Sequence, residues 1–477
     1  EKEGFALVEE QRRKLAEDEA HGSTTASAST FSSGITGDRS SDYVVQLLDL
    51  HDRYYELVKQ CFLESAHFLK AMKDAFELFL NEQVGKSGSA ETLANFCDAL
   101  LNSAGFGAKM SEQEVEQYLE RVVRLFGYVT EKDVFQEFSR KLLSKRLLLE
   151  KSHSDDAERS LIAKLKMRCG SHFTTKLEGM ITDMNLSKDM QKGFAEWYKK
   201  EVAKESNSAM DIDTAMSPET AAGAGQVILD GVECNVRVLT TSHWPTYKED
   251  KLNLPSEIEK CMTTFREYYD SRTSQRVLRW MHSLGKFSLE CRAFLGNPKL
   301  NCIDLLVNTH QMCILTLFND HDDMQFKKIK ELIGLDDADM AKQYVMSLCK
   351  KYPLLIRASK GKDILDDEIF SLNMKYKPIK RKLVIPSPSA KVSEAEKESA
   401  HTTVVEDRKH SIEAAIVRVM KQRKSLEHQQ LVVEVSKLLM QVFVPEPKQI
   451  KSRIEDLITR EYIRRSESNS SHYEYIA

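Results

Sequence analysis

Apolar residues recurring at i, i+3, i+4 and i+7 run through most of this sequence, and three stretches too poor in apolar residues to fold cut that pattern into blocks. In the first block Leu47, Leu50, His51, Tyr54, Leu57, Val58 and Cys61 share one helical face, and the period continues through Phe68, Met72, Ala75, Phe76 and Phe79. The spacing predicts one long helix or two in line, with His51 a core histidine rather than a ligand. Ser111 and Glu114 form a capping box ahead of Val115, Tyr118, Leu119, Val122 and Phe126, and Thr130 with Asp133 is expected to open the next helix, "DVFQEFSRKLLSKRLLLEK". With "ETLANFCDALLN" and "DDAERSLIAKLKMRCG", residues 42–202 read as a bundle of long helices, preceded by a helical segment over 1–20.

The three breaks are a linker over 21–41, a low-complexity insertion over 203–228 and a linker over 387–406. Between the second and third the pattern changes. "ECNVRVL", "RVLRWM" and "FSLECRAF" are short runs rich in β-branched and aromatic residues, and they flank a helix striped by Ile258, Cys261, Met262, Phe265 and Tyr269, so 229–302 reads as a small α/β domain. Residues 303–378 read as three helices, "LLVNTHQMCILTLFND", "MQFKKIKELIGL" and "DADMAKQYVMSLCKKY", leading into the strand "PLLIRA", a winged-helix plan. Residues 407–477 repeat that plan. A first helix carries Lys421, a second has Leu431, Val435, Leu438, Leu439 and Val442 in register, and a third has Ile450, Ile454, Leu457 and Ile458. Two short strands around a polar turn close it. The fold class is mainly α with a small α+β domain: a long-helix bundle, an α/β domain and two winged helices.

A chain of 477 residues exceeds one hydrophobic core, and its net charge of −4 points globally to neither nucleic acid nor a membrane. It has no run of eighteen apolar residues, and it opens "EKEGF" without an initiator methionine, as a piece of a longer cytoplasmic or nuclear protein would. The nine cysteines are scattered without a CxxC and read as reduced core thiols, and no metal-ligand spacing occurs among the histidines. No phosphate-binding loop, nucleophile elbow or Cys/His pairing is present, and the pairs Asp322-Asp323 and Asp336-Asp337 suit helix capping. Neither direct catalysis nor a cofactor is expected.

In "IEAAIVRVMKQRKSL" Ile412, Ala415, Ile416 and Val419 fall on one face, while Lys421 points about 180° from Ile412 and reaches solvent. On geometry alone such a lysine is a solubilising charge. The third helix of the last block, "PKQIKSRIEDLITREY", carries Lys448, Lys451, Arg453 and Arg460, offset by Glu455, Asp456 and Glu461. A winged-helix nucleic-acid binder is the alternative function, though a groove reader is usually more uniformly basic. Lys375, Lys377, Lys380, Arg381 and Lys382 precede Leu383, Val384 and Ile385. That stretch is either a lysine-protected edge strand or a strand that pairs with another chain and attracts an acidic partner.

As a string, "VEDRKHSIEAAIVRVMKQRKSLEHQQLVVEV" resembles the neddylation segment of the cullin family, in which IVR-hydrophobic-MK carries the modified lysine. "YVVQLLDLHDRYYELV", "LANFCDALL", "KDVFQEFSRKLLSKRLL", "SDDAERSLIAKLKMRCGSHFTTKLEGMITDM", "VRVLTTSHWP", "LPSEIEKC", "RVLRWMHSLG" and the closing "YEYIA" agree in order, over about residues 41–477. The likeness is closest to the cullin-one branch, scaffolds of F-box-type ubiquitin ligases.

The resemblance implies a non-catalytic ligase scaffold whose α/β domain shares a sheet with a RING-box protein, which holds zinc and recruits a ubiquitin-charged conjugating enzyme. By position, "NVRVLTTSHWP", "RVLRWM" and "IKRKLVIP" supply that platform, through Val236, Val238, Leu239, Trp244, Leu278, Trp280, Leu383, Val384 and Ile385. Lys421 becomes the isopeptide acceptor of a ubiquitin-like modifier, and Arg418, Gln422, Arg423 and Lys424 shape the approach of the modifying enzyme, with Lys424 the nearest competitor. Modification then loosens the last winged helix through the 387–406 linker. A cullin exchange factor and a deneddylase complex are further implied partners. Residues 1–20 correspond to the end of the last N-terminal cullin repeat, so F-box adaptors are expected to bind only the longer protein.

Overall fold

The computed structural model describes residues 1–20, 39–84, 88–208, 227–229, 231–247, 249–292, 302–359, 364–378, 380–387, 394–466, 469 and 471–476. They form two compact units, one of residues 1–181, 242–245 and 394–477, the other of 182–241 and 246–393. Most of the expected low-complexity stretches, 21–38, 209–226 and 388–393, lies outside the described residues.

The first unit opens with α1 (Lys2–Ala20), α2 (Arg39–Phe62) and α3 (Ala66–Leu80). The last two are not in line. Leu63 and Glu64 adopt left-handed φ values of 48° and 55°, and the chain folds back until the His51 ring lies 5.2 Å from that of Phe76. His51 is buried, with Nε2 3.1 Å from the Tyr128 hydroxyl. There follow α4 (Ser89–Leu101), α5 (Glu112–Phe126), α6 (Lys132–Leu149), α7 (Asp155–Cys169) and α8 (Ser171–Ser208), whose residues from Thr182 onward belong to the second unit. The Ser111–Glu114 capping box is formed, but Thr130 does not cap the next helix, whose N-cap is Glu131 without a side-chain hydrogen bond. Thr130 instead donates its N–H and hydroxyl to Asn81 Oδ1, and Asp133 is occupied by an ion pair. Leu47, Phe76, Leu93, Leu119, Phe126 and Phe135 fill the bundle core. Within it the buried Arg146 donates twice to Glu158, at 2.7 and 2.9 Å, and once to Asp98 at 2.5 Å.

In the second unit β1 (Val227–Leu229) and β2 (Val232–Cys234) form a hairpin turning at Gly231, whose φ of 82° suits a residue without a side chain. The expected insertion over 203–228 is therefore shorter at both ends, since α8 runs to Ser208 and β1 begins at Val227. Then come α9 (Ser256–Arg272), β3 (Lys286–Cys291), β4 (Ile303–Asn308), α10 (Thr309–Leu317), β5 (Asp323–Gln325), α11 (Phe326–Ile333), α12 (Ala338–Cys349), β6 (Leu355–Arg357), β7 (Ile369–Leu372) and β8 (Lys382–Val384). Residues 303–308, expected to be helical from 305, are a strand: Ile303, Leu305 and Val307 alternate inward, and an Asn308–Gln311 capping box starts α10 only afterwards. Because β4 pairs antiparallel with β3 and parallel with β8, the sheet crosses the boundary expected at 302/303. Strands β5, β7 and β6 make the wing beside α10, α11 and α12.

The chain ends with α13 (Glu394–Arg423), β9 (Ser425–Glu427), α14 (His428–Leu439), α15 (Pro447–Thr459), β10 (Ile463–Arg465) and β11 (His472–Tyr475), the strands in the order β10-β11-β9. Ile412, Ile416 and Val419 bury against Leu431, Val435, Ile450 and Ile454, the expected winged helix. Leu438 and Val442, placed on the apolar stripe, are instead 44% and 39% exposed: Leu438 lies off the buried face of Leu431, Val435 and Leu439, and Val442 lies beyond the end of α14. The linker expected over 387–406 is mostly absent: from Glu394 the chain is helix, and Ala400 and Val404 join the bundle core.

Candidate functional site

Lys421 stands on the last turn of α13, which ends at Arg423. The turn is ordered because its other side is buried: Val419 and Met420 are 4% and 0% exposed. The Lys421 side chain is exposed and makes no ion pair or hydrogen bond among the described residues. Its neighbours differ. Arg418 and Gln422 are likewise exposed and unpaired among the described residues, whereas Arg423 bridges to Glu434 at 3.1 Å. Lys424 leaves the helix with a left-handed φ of 69°. Its ammonium lies 5.0 Å from the centre of the Tyr475 ring, and its carbonyl accepts from the Tyr475 N–H at 2.9 Å. The arrangement presents one unencumbered primary amine on a rigid support, suited to accept an acyl group and lacking any catalytic constellation of its own.

Two contact sets seat this winged helix on the bundle. Lys397 reaches the buried Glu91 carboxylate at 2.7 Å, with the His401 ring beside Phe138. Farther along, Arg408 donates to Asp133 at 2.5 and 2.8 Å and to Glu131 at 3.3 Å, its guanidinium 4.9 Å from the centre of the Phe443 ring, while Lys132 N–H donates to the Val442 carbonyl. On α13 Glu413 receives Arg460 at 2.7 Å and Arg453 at 3.5 Å. Burial disfavours its charge, but the two guanidinium groups outweigh that and hold its carboxyl below the usual range. Of Lys448, Lys451, Arg453 and Arg460, on α15 and at its C-cap, the last two are thus engaged within the fold.

In the second unit the residues expected to form a partner platform divide. Val236, Val238, Leu278 and Trp280 pack against Phe194 and Phe265 on α8 and α9, whereas Leu383 and Ile385 belong to the core of Leu305 and Val307. Val384 points outward at 59% exposure, and Leu239 is half-buried. Trp244, buried, falls with residues 242–245 in the first unit. Of the three platform segments only the third holds a strand, β8; residues 235–240 and 276–281 are not strands, because no neighbouring chain segment among the described residues pairs with them.

Residues 234–240 are nonetheless held along one edge by hydrogen bonds to α8. Gln191 donates to the Cys234 carbonyl at 2.8 Å and accepts from Val236 N–H at 3.1 Å. Ser187 Oγ both accepts from Val238 N–H and donates to the Val238 carbonyl, each at 3.0 Å, and Asp183 accepts from the Thr240 N–H and hydroxyl. Asp183, Ser187 and Gln191 are buried and spaced four apart on α8, so one helix face serves alternate residues as a neighbouring strand would. On the opposite edge Asn235 and Leu239 make no hydrogen bond among the described residues. Sequence reasoning missed this helical ladder, although small polar residues at four-residue spacing on an otherwise apolar face were its visible signal.

Among the described residues no three His, Cys, Asp or Glu side chains converge on a metal-sized site, and no helix is long and apolar enough to cross a membrane.

Three family descriptions match the chain in order: the cullin alpha solenoid domain over residues 2–191, the cullin alpha+beta domain over 238–376 and the cullin protein neddylation domain over 407–469. Cullin-1 of Oryza sativa subsp. japonica is 38% identical over 475 residues, which is 100% of this chain and 58% of the relative. Cullin-2 of Arabidopsis thaliana is 36% identical over 95% of this chain and 57% of the relative, and Cullin-4A of Homo sapiens 33% over 93% and 54%. The chain therefore spans between 54% and 58% of the length of these relatives.

Proposed function

This chain belongs to the cullin family, and from that premise we propose that it is a scaffold subunit of a cullin-RING ubiquitin ligase whose assembly is activated by modification at Lys421. The stretch 235–240, aligned by α8, takes with the β3-β4-β8 sheet an extended strand of a RING-box protein. That partner holds zinc of its own and brings a ubiquitin-charged conjugating enzyme. The chain needs no cofactor and makes no bonds; a rigid support raises the effective concentration of two partners and fixes their approach.

The observation that carries the reading is an exposed, unpaired lysine on an ordered terminal helical turn, inside the stretch that matches the neddylation domain. Arg418 and Gln422, with Arg423 and Lys424 held at its side, form the surface the modifying enzymes meet. A deneddylase complex removes the modifier, an exchange factor engages the unmodified form, and F-box adaptors bind only the longer protein, in cytoplasm and nucleus. Duplex DNA binding is not favoured, since Arg453 and Arg460 are engaged by Glu413.

The test is intact mass of the chain, coexpressed with its RING-box partner and treated with the neddylation enzymes, for wild type and Lys421→Arg. One modifier-sized gain that is lost in the variant supports both scaffold and acceptor. A gain that persists in the variant places the acceptor elsewhere, and no gain in a stable RING complex removes the regulatory half of the reading.

A further inference from the structure

Two lysines compete for one position. Lys421 and Lys424 are both exposed and lie within one helical turn of each other, so proximity alone does not choose between them. They differ in what β11 does to them. Tyr475 reaches only Lys424: its N–H donates to the Lys424 carbonyl at 2.9 Å, and its ring centre lies 5.0 Å from the Lys424 ammonium. The Lys424 N–H is also occupied, donating to the Met420 carbonyl at 2.8 Å. Tyr475 is in turn fixed by its place in the sheet, opposite Ile463 of β10.

We propose that Tyr475 is a specificity-determining residue for the modification, withdrawing Lys424 by the contact between its ring and the Lys424 ammonium, so that transfer falls on Lys421. The inference rests on the functional reading above. In the transfer, a deprotonated lysine amine attacks the carbonyl carbon of the modifier's thioester. The C–N isopeptide bond forms, the C–S bond breaks, the conjugating enzyme's cysteine leaves as thiolate, and the amine's second proton passes to solvent. An ammonium resting on an aromatic face must leave that face before it becomes a nucleophile. Lys421 has no such contact among the described residues and is available from the outset.

The experiment has two arms on the chain with its RING-box partner. In the first, acetylation by an N-hydroxysuccinimide ester is followed by mass spectrometry, which reads the reactivity of each lysine without the neddylation enzymes. Lys424 is expected to label about two- to fivefold more slowly than Lys421. The difference should persist in Tyr475→Phe, which keeps the ring, and vanish in Tyr475→Leu, which keeps the backbone hydrogen bond and an apolar body. Equal labelling of the two lysines in the wild type overturns the proposal, as does an unchanged difference in Tyr475→Leu. Circular dichroism establishes that each variant is folded.

In the second arm Lys421→Arg and Lys421→Arg/Tyr475→Leu are treated with the neddylation enzymes. The double variant is expected to gain a modification that disappears when Lys424→Arg is added. No gain, under conditions that modify the wild type, overturns the proposal. If the wild type itself is not modified, the functional reading fails while the labelling arm still decides whether Tyr475 protects Lys424.

Discussion

Arg408 and Asp133 lie 275 residues apart in sequence and meet in a two-pronged ion pair, with N–O distances of 2.5 and 2.8 Å. One end belongs to the helix that carries Lys421 and the other to the first turn of α6. Both side chains are mostly buried, at 21% and 15% exposure, so solvent screens the pair weakly.

Removal of that pair should loosen α13 from the bundle before the winged helix itself unfolds. A charge-assisted hydrogen bond of this kind contributes about 1.5–3 kcal/mol. In Arg408→Ala, amide hydrogen exchange over residues 397–408 is expected to accelerate about ten- to a hundredfold, with the core of Leu431 and Ile454 unaffected. Arg408→Lys should recover only part, because an ammonium cannot reproduce the fork. Unchanged exchange in Arg408→Ala would count against the docking role.

Arg146 gives a contrasting case, fully enclosed rather than interfacial. Glu158, 1% exposed, takes two of its hydrogen bonds. Glu158→Ala should cost about 3–5 kcal/mol because it strands a buried charge, whereas Asp98→Ala should cost about 1–3 kcal/mol. Replacing both partners, as Arg146→Met with Glu158→Leu, should cost less than Glu158→Ala alone. Denaturant titration by circular dichroism orders the three.

His310 sets an acid limit on the second unit. Its ring is buried and stacked 4.3 Å from that of Tyr344, and Nε2 lies 3.4 Å from Asp250 Oδ2, long for a hydrogen bond. Burial pushes its pKa down, opposed by the nearby Asp250 charge and reinforced by His282. With the folded value below the unfolded one, about 6.5, the neutral ring's contribution is complete above that pH and is lost as the pH falls through the folded value. His310→Phe keeps the stack and removes the titration. Its melting temperature should gain on the wild type progressively from pH 7 to pH 5, and parallel curves would refute the assignment.

The helical ladder on α8 should be measurable from its far side. Ser187→Ala deprives both the N–H and the carbonyl of Val238 of their partner, at about 1–3 kcal/mol. The expected results are faster amide exchange at Val236 and Val238 and, on the proposed function, weaker retention of the RING-box partner in a pull-down. Retention at the wild-type level with accelerated exchange would separate the ladder from partner binding.

The helical faces were legible because a period of 3.6 residues survives without any tertiary information, and Lys421 was placed outward by the same wheel. Where the reading failed, the cause lay in contacts distant in sequence or in residues that carry no turn signal. Leu63 and Glu64 reverse the chain in left-handed conformations that neither residue type advertises. Residues 394–406 looked like a linker because a helix docked through Ala400 and Val404 needs few apolar residues of its own. The strand at 303–308 runs straight into a helix, and only the Asn308–Gln311 cap marks the change. Around the candidate acceptor, Tyr475 and Arg408 act through partners remote in sequence, and local spacing carries no record of them.

The continuity of α13 has a mechanical meaning. Its 30 residues, at about 1.5 Å each, span roughly 45 Å without a hinge, gripped by the bundle near Ala400 and Arg408 and ending just beyond Lys421. An acceptor on a slack tether would let its cargo wander while the body stayed indifferent. Here a load hung on Lys421, if the proposed modification places one there, would act as torque at the grip, resisted by the Lys397–Glu91 and Arg408–Asp133 ion pairs and by Ala400 and Val404. The cargo either stays where the rod points or pries the rod loose.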